Sequence, residues 1–393
     1  MSDLAWALTL LAVPLAVVLI DLAAALRRSR GRATSAAAPV EDFDVLVPIW
    51  GSVSYLTNLD YLAAYGDRVV LCTPRSGSEE FLDDLRRIAD DYGFRVFLGD
   101  VAGGPGRRTG RRQTSGLIRD RLIRDAHAVL SRTYVVCIDA DTRTREPLAR
   151  LVGQMAYGRY DIVSVRVVPA NVSNWLSRLQ RYEYRAAMRL RLVMPWLVSG
   201  ACHAGRRVAH REVMARHSLF FQGNDVEVGW LAERLGFRVG HVQYDVLTDV
   251  PTTPAGWWRQ RVAWAGGEVR LFLANPQLVL RHPVLWTYFA VVTFALLPLR
   301  WAAVLHPGWP LAVTVLGYLA VLALVHRGHW DRWLPVYPLY AAVTSLVIVP
   351  LGVVAYIRMW STHRNAGLIR VRRRSREVSA LVTPARAGAA RSA

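Results

Sequence analysis

The chain has 393 residues, 53% of them hydrophobic, and a formal net charge of +19. Its cationic side chains are arginine without a single lysine, which excludes Schiff-base, P-loop and general-base lysine chemistry. Apolar spans at both ends turn the basic balance towards anionic lipid and phosphate-bearing substrates, and no aromatic–basic RNA-binding motif points to nucleic acid.

Residues 4–26 form a mostly apolar stretch, broken by Thr9 and Asp21, that is long enough to span a bilayer. Only Asp3 precedes it, whereas Arg27, Arg28, Arg30 and Arg32 follow. The positive-inside bias therefore puts the N-terminus outside and the next domain in the cytoplasm. A cleaved signal peptide would carry its basic residues on the other side of the apolar core. The division read along the chain is an anchor over 1–28, a linker over 29–43, a globular domain over 44–275, a membrane region over 276–360 and a basic, disordered tail over 361–393.

Within the domain, short β-branched runs at 44–49, 68–73, 95–98 and 133–138 predict strands. Ser78 opens a predicted helix with Phe81, Leu82, Leu85, Ile88 and Ala89 at helical spacing, and Gly93 closes it. A second helix is predicted over 115–130. This alternation predicts an α/β domain with a mainly parallel sheet, whose ligands bind beyond the carboxyl ends of the strands. Residues 175–194 repeat apolar residues at 3–4 spacing among Arg178, Arg181, Arg185, Arg189 and Arg191. That pattern fits a membrane-interface helix or an ordinary surface helix equally well. Candidate spans follow at 284–305, 309–325 and 335–357. Three crossings would leave the tail outside, while its arginines argue for inside. Cys72, Cys137 and Cys202 are too few and scattered for a disulfide framework and read as reduced thiols.

Three clusters carry chemistry. Asp139 and Asp141 end the strand 133–138, where two carboxylates one residue apart can hold Mg²⁺ or Mn²⁺ against a diphosphate leaving group. The local alternative is a turn or helix cap. Asp225, in Gly223-Asn224-Asp225-Val226-Glu227, can cap the helix 226–235 or act as general base on a sugar hydroxyl. Glu227 competes for that role but belongs on the first turn, serving the helix dipole. Residues 257–264, Trp-Trp-Arg-Gln-Arg-Val-Ala-Trp, combine ring faces for sugars with guanidinium forks for phosphate; a membrane-interface belt has the same composition.

In chain order, Asp139-x-Asp141, Ser199-Gly200, Gly223-Asn224-Asp225, Val250-Pro-Thr-Thr and Gln260-x-x-x-Trp264 resemble the processive family 2 glycosyltransferases, the membrane synthases of hyaluronan, chitin oligosaccharides and cellulose. Trp360-Ser-Thr-His-Arg364 is similar to their Trp-x-Thr-Arg end motif with one residue inserted. The resemblance implies a GT-A-type, Rossmann-like cytoplasmic domain flanked by transmembrane helices, in a multi-pass protein of the plasma membrane. It implies a UDP-sugar donor held by Pro48, Asp139 and Arg261, a Mg²⁺ or Mn²⁺ ion on Asp139 and Asp141, Asp225 as catalytic base, and an acceptor against Gln260 and Trp264. The implied reaction is inverting transfer to a growing polysaccharide, with glycan or lipid-linked acceptor and membrane lipid as partners. Single transfer to a polyprenyl-phosphate carrier and a non-catalytic membrane scaffold are the two rival readings. Four places depart from the pattern: Val47-Pro48-Ile49-Trp50-Gly51 lacks the Tyr or Asn usual after Val-Pro, Leu71-Cys72-Thr73-Pro74 lacks the strand-end Asp that reads uracil, Asn224 replaces a common acid, and Ala263 stands at the motif arginine.

Overall fold

The computed structural model describes residues 37–101, 115–219, 224–274, 297–305 and 308–362, together with Leu19. The predicted N-terminal anchor (Leu19 apart), most of the linker, residues 284–296 and the basic tail beyond Thr362 lie outside the described residues.

Strands β1 (Phe43–Pro48), β2 (Val69–Pro74), β3 (Arg95–Gly99) and β4 (Tyr134–Ile138) form a parallel half-sheet. β1 and β2 are buried along their whole length, as near-continuous apolar runs are when helices cover both faces. Asp44 is the charged exception within β1. It accepts from Arg132 Nη1 at 2.9 Å, from the Ser131 and Arg132 amides at 3.1 Å each, and from Arg95. A fully buried carboxylate is tolerated there because its lone pairs are satisfied. The other strands are β5 (Arg143–Thr144), β6 (Ile162–Pro169), β7 (Cys202–Arg206) and β8 (Val239–Thr248), giving the order β3-β2-β1-β4-β7-β6-β8-β5. The expected parallel sheet is thus interrupted: β7 runs antiparallel between β4 and β6.

Helices α1 (Leu59–Ala63), α2 (Glu79–Tyr92), α3 (Ser115–Ala126), α4 (Leu148–Tyr157) and α5 (Trp175–Val193) are followed by α6 (Arg207–Arg216), α7 (Asn224–Arg234) and α8 (Pro254–Ala274). Ser78 caps α2 through the Phe81 amide, and Gly93 ends it in the left-handed region at φ +67°, as its sequence predicts. The predicted 115–130 helix ends at Ala126 and tightens into a 3₁₀ turn at His127–Val129. One face of the sheet packs Val45, Val47 and Val136 against α2 and α4; the other packs Leu46, Val70 and Val135 against α3, α6 and α7. All three cysteines are buried and unpaired with one another.

α5 buries Leu176, Leu179 and Tyr182 against Trp257 and Ala265 of α8 and against Leu322, Tyr337 and Tyr340 of the C-terminal helices. Its Arg178 and Arg181 bind Asp331 at 3.3 and 3.0 Å. The C-terminal helices are α9 (Leu297–Leu305), α10 (Trp309–Val325), α11 (Tyr337–Val343) and α12 (Val349–Thr362), with a π-helical turn at Thr344–Ile348 joining the last two. Among the described residues, Leu334–Arg358 is the run long and apolar enough to cross a membrane. α12 touches α8 closely: a Cβ on Gly352 would lie 2.6 Å from Ala265 Cβ and 2.7 Å from Gly266 N.

Gly229 sits inside α7, where replacing glycine by alanine ordinarily stabilises a helix by about 0.5–1 kcal/mol. Here the new Cβ would lie 2.0 Å from the Trp196 carbonyl oxygen. The clash outweighs the propensity gain, since forced backbone shifts cost about 1–3 kcal/mol. Gly229→Ala is expected to lower the unfolding temperature, measured by a thermal melt; a raised one would refute the close contact.

Candidate active site

The sheet changes direction of progression at β1 and β4, whose neighbours leave to opposite sides. Ligands of open α/β sheets sit in the crevice at such a switch point, beyond the carboxyl ends. Pro48 ends β1 and Asp139 follows β4, and both line a cavity of about 1190 Å³. Asp141, Asp225, Gln260 and Trp264 line the same cavity, so the structure brings together six of the seven sequence-predicted site residues.

The acid turn is built by the backbone. The Asp139 amide donates to Ala201 O at 3.0 Å, and the Thr142 amide closes the turn on Asp139 O at 3.0 Å. Asn58 Nδ2, just before α1, donates to the Asp139 carbonyl at 3.1 Å and the Thr142 carbonyl at 2.5 Å. Within the turn, Asp141 Oδ1 also accepts from the Thr142 hydroxyl at 3.0 Å. Asp249, after β8, joins Asp139 and Asp141 in the cavity. Burial, and then the charges of Asp139 and Asp249, push Asp141 up to about 6. A crowd of oxygen donors in which one carboxyl resists ionisation suits a hard divalent cation.

Arg119 on α3 faces this turn. Its Nε donates to Asp139 Oδ1 at 2.9 Å and its Nη1 to Asp120 at 3.1 Å, while Nη2 holds the Gly200 carbonyl. Burial opposes the charge, but Asp139 and Asp120 more than offset it, so the Arg119 pKa is raised. The Gly200 amide in turn donates to Asp225 Oδ2 at 2.7 Å. Asp225 therefore lies at the N-terminus of α7 as expected, held by a backbone donor from another loop. Arg191, whose pKa burial lowers and Asp225 supports, adds a cation to the wall.

Glu227 lies in the first turn of α7 as expected, and the fold gives it further partners. It is completely buried, accepting from Ser218 Oγ at 2.6 Å and Arg270 Nη1 at 3.0 Å. Despite burial, His217, Arg270 and Ser218 hold its pKa below the ordinary range. It binds the chain after α6 to α8 and does not line the cavity.

α8 presents Gly256, Arg259, Gln260, Ala263, Trp264 and Glu268 to the cavity, a stripe at helical spacing. Arg261, predicted to hold the donor, is off that stripe. It is buried, binds Glu183 Oε2 at 2.7 Å and Gln180 at 3.2 Å, and lies 4.2 Å from the Trp264 ring centre. Of the two α8 arginines considered, Arg259 is the one that lines the cavity. Arg119, Arg191 and Asp249 carry no local signal. Trp50 and Tyr55 line the mouth at the end of β1, and the β2 end, Cys72 and Thr73, is fully buried and off the cavity.

The family model described as glycosyl transferase family group 2 matches residues 134–359. No curated protein sequence matches the chain. Among solved structures, the mannosyltransferase PcManGT from Pyrobaculum calidifontis, in complex with GDP-Man and Mn²⁺, has a TM-score of 0.53 at 17% identity, with 90% of this chain and 100% of that chain covered. Glucosyl-3-phosphoglycerate synthase from Mycobacterium tuberculosis, in complex with Mn²⁺, UDP and glucosyl-3-phosphoglycerate, has a TM-score of 0.36 at 19% identity, covering 61% and 81%. At these identities the likeness to PcManGT is one of fold.

Asp141 also gives a pH test. Its folded-state pKa is raised, so the folded chain holds this proton more tightly than the unfolded one. The associated stability is present below the ordinary carboxylate range and is lost as pH rises through about 6. In EDTA, Asp141→Asn is expected to melt higher than the parent at about pH 7.5, with the gap closing towards about pH 4.5. A gap independent of pH would refute the assigned environment.

Proposed function

The chain belongs to glycosyl transferase family group 2, and we propose that this glycosyltransferase moves a sugar, with inversion, from a nucleoside-diphosphate donor to a sugar hydroxyl of a membrane-associated glycan. The observation that carries this reading is Asp225, a carboxylate held by the Gly200 amide in the same cavity as the Asp139–Asp141 turn. A hydroxyl acceptor needs a base to take its proton as it attacks. A phosphate acceptor is already an anion and needs none. A growing polysaccharide therefore fits Asp225 better than a polyprenyl phosphate does.

Asp139, Asp141 and Asp249 are the residues that would hold Mg²⁺ or Mn²⁺, the ion present with GDP-Man in the mannosyltransferase of similar fold. When bound, the cation neutralises the departing diphosphate. Arg259 and Arg191 offer guanidinium groups to the same phosphates, which meets the loss of the motif arginine at Ala263. Trp50 and Tyr55 offer ring faces to the nucleobase in place of the absent strand-end Asp. Gln260 and the partly exposed Trp264 provide an acceptor platform. The apolar cluster of Met194, Trp230 and Leu271 beside Asp225 suits an acceptor that carries a lipid. The apolar run Leu334–Arg358, packed on α8, supports attachment to a membrane; the proposed multi-pass placement in the plasma membrane, with the catalytic domain cytoplasmic, rests on the apolar spans and arginine flanks of the sequence.

Transfer from a panel of radiolabelled UDP- and GDP-sugars, with products sized on a gel, tests the reaction. Product is expected to vanish with EDTA, to return with Mn²⁺ or Mg²⁺, and to form a ladder. Asp225→Asn should lower turnover about 10²–10⁴-fold while leaving nucleotide binding intact. Near-normal turnover of that variant on polyprenyl phosphate would select the lipid-carrier reading instead. Glu227→Gln should lower the melting temperature rather than the chemistry, because it breaks the buried pair with Arg270. For sidedness, a cysteine at the exposed Ser76 should escape an impermeant reagent in intact cells; labelling there would overturn the cytoplasmic placement.

A further inference from the structure

We infer that a buried chain of three imidazoles, His127, His210 and His203, positions the Ser199–Gly200 peptide that holds Asp225. His203 lies on β7 opposite Cys137 of β4, two residues before Asp139. Its Nδ1 is 3.2 Å from the Ser199 carbonyl oxygen. Its Nε2 is 3.1 Å from Nε2 of His210 on α6, and His210 Nδ1 is 2.7 Å from Nε2 of His127 after α3.

The direction of this chain follows from what each atom can do. A carbonyl oxygen only accepts, so His203 carries its proton on Nδ1 and presents a lone pair at Nε2. His210 must then donate from Nε2 and accept at Nδ1, and His127 must donate from Nε2. Every ring is neutral, with one proton and one lone pair: burial pushes His127 down to about 4 and His203 down to about 3, and holds His210 well below its ordinary value. The chain begins at His127 Nδ1, a buried nitrogen without a hydrogen-bond partner. The positive charges of Arg211 and Arg207 act on this ring and further disfavour its protonation.

The Ser199 carbonyl and the Gly200 amide are the two poles of one peptide unit. Drawing electron density onto the carbonyl makes the amide a stronger donor, and hydrogen bonds in series reinforce one another in this way. The amide end is the 2.7 Å bond to Asp225 Oδ2. Three rings outside the cavity thus fix where the carboxylate stands. This inference rests on Asp225 as the base.

Cys137 Sγ, His203 Nε2 and His210 Nε2 also lie within 4.8 Å of one another, which is a metal-like grouping. Charge argues against an ion there. A divalent cation with one thiolate and two neutral imidazoles would leave net positive charge buried beside Arg119, which already acts on all three groups.

The test compares His203→Leu with His203→Asn, whose amide nitrogen can take the place of Nδ1. The leucine variant is expected to lose about tenfold in kcat with donor KM and UDP binding unchanged, and the asparagine variant to recover most of that loss. Equal losses in both, scaling with thermal stability, would mean packing alone and overturn the relay. Asp225→Asn is run alongside. Near-normal turnover in Asp225→Asn overturns the base and the relay together, whereas its loss beside a fully active His203→Leu overturns the relay alone. Two-bond ¹H–¹⁵N spectra of the unmodified protein should show the Nδ1–H tautomer for His203 and the Nε2–H tautomer for His210. The Nδ1–H tautomer on His210, or stoichiometric zinc that Cys137→Ser removes, overturns it.

Discussion

Three separate pieces of chain meet on the guanidinium of Arg119: the acid turn after β4, the loop ahead of β7, and, one hydrogen bond further, the start of α7. An isolated charge at this depth would be expensive, and neutral partners alone would not repay it. Asp139 and Asp120 supply the counter-charge, and the Gly200 carbonyl takes the remaining arm. The planar fork serves several acceptors in fixed directions, which a lysine ammonium on a flexible stem does not. The spacing between acid turn and base is set by this fork as much as by the sheet beneath it.

What the sequence made legible was local. The runs of β1, β2 and β4 and the caps of α2 are written in adjacent residues. So is the acid turn, because Asp139 and Asp141 sit at the end of an apolar strand. The antiparallel β7, Cys-His-Ala-Gly-Arg, has neither alternation nor β-branched residues to announce it. Its placement depends on pairing with β4 and β6, which only the assembled sheet provides. Arg119 and Arg191 were hidden for another reason: in a chain without lysine and rich in arginine, one more arginine carries little information. Asp249 is far along the chain from Asp139 and Asp141 and joins them only in the assembled cavity. Glu227 is the first-turn helix acid that the sequence suggests, but its partner Arg270, 43 residues later, is delivered to its carboxylate only by the fold. Helical period alone does not tell Arg259 from Arg261, since Arg261 stands three residues before Trp264; what separates them is Glu183 and Gln180 of α5, which claim Arg261.

The C-terminal helices do more than anchor. Trp257 Nε1 donates to Tyr340 Oη at 2.8 Å, and Tyr340 donates to Glu183 Oε2 at 2.5 Å. Glu183 binds Arg261, and Arg261 lies under Trp264. Glu183 and Trp264 face the cavity, so a continuous polar thread runs from the apolar helices to its wall. Arg261 was expected on the donor. In the fold it is the knot of this thread, which accounts for its burial and its saturation by Glu183 and Gln180.

The π-helical turn at Thr344–Ile348 has a bearing on how such chains can diverge. A π turn is an α-helix carrying one surplus residue, absorbed as a bulge. Losing that residue would restore a regular helix but rotate everything after it by about 100°, one residue's share of a 3.6-residue turn. Gly352 would swing away from Ala265 and Gly266, and a bulkier face would meet α8 in its place. A single-codon deletion here is therefore a change of helix phase rather than of length, and a descendant lineage could tolerate it only by re-siting its small residues on one helix or the other.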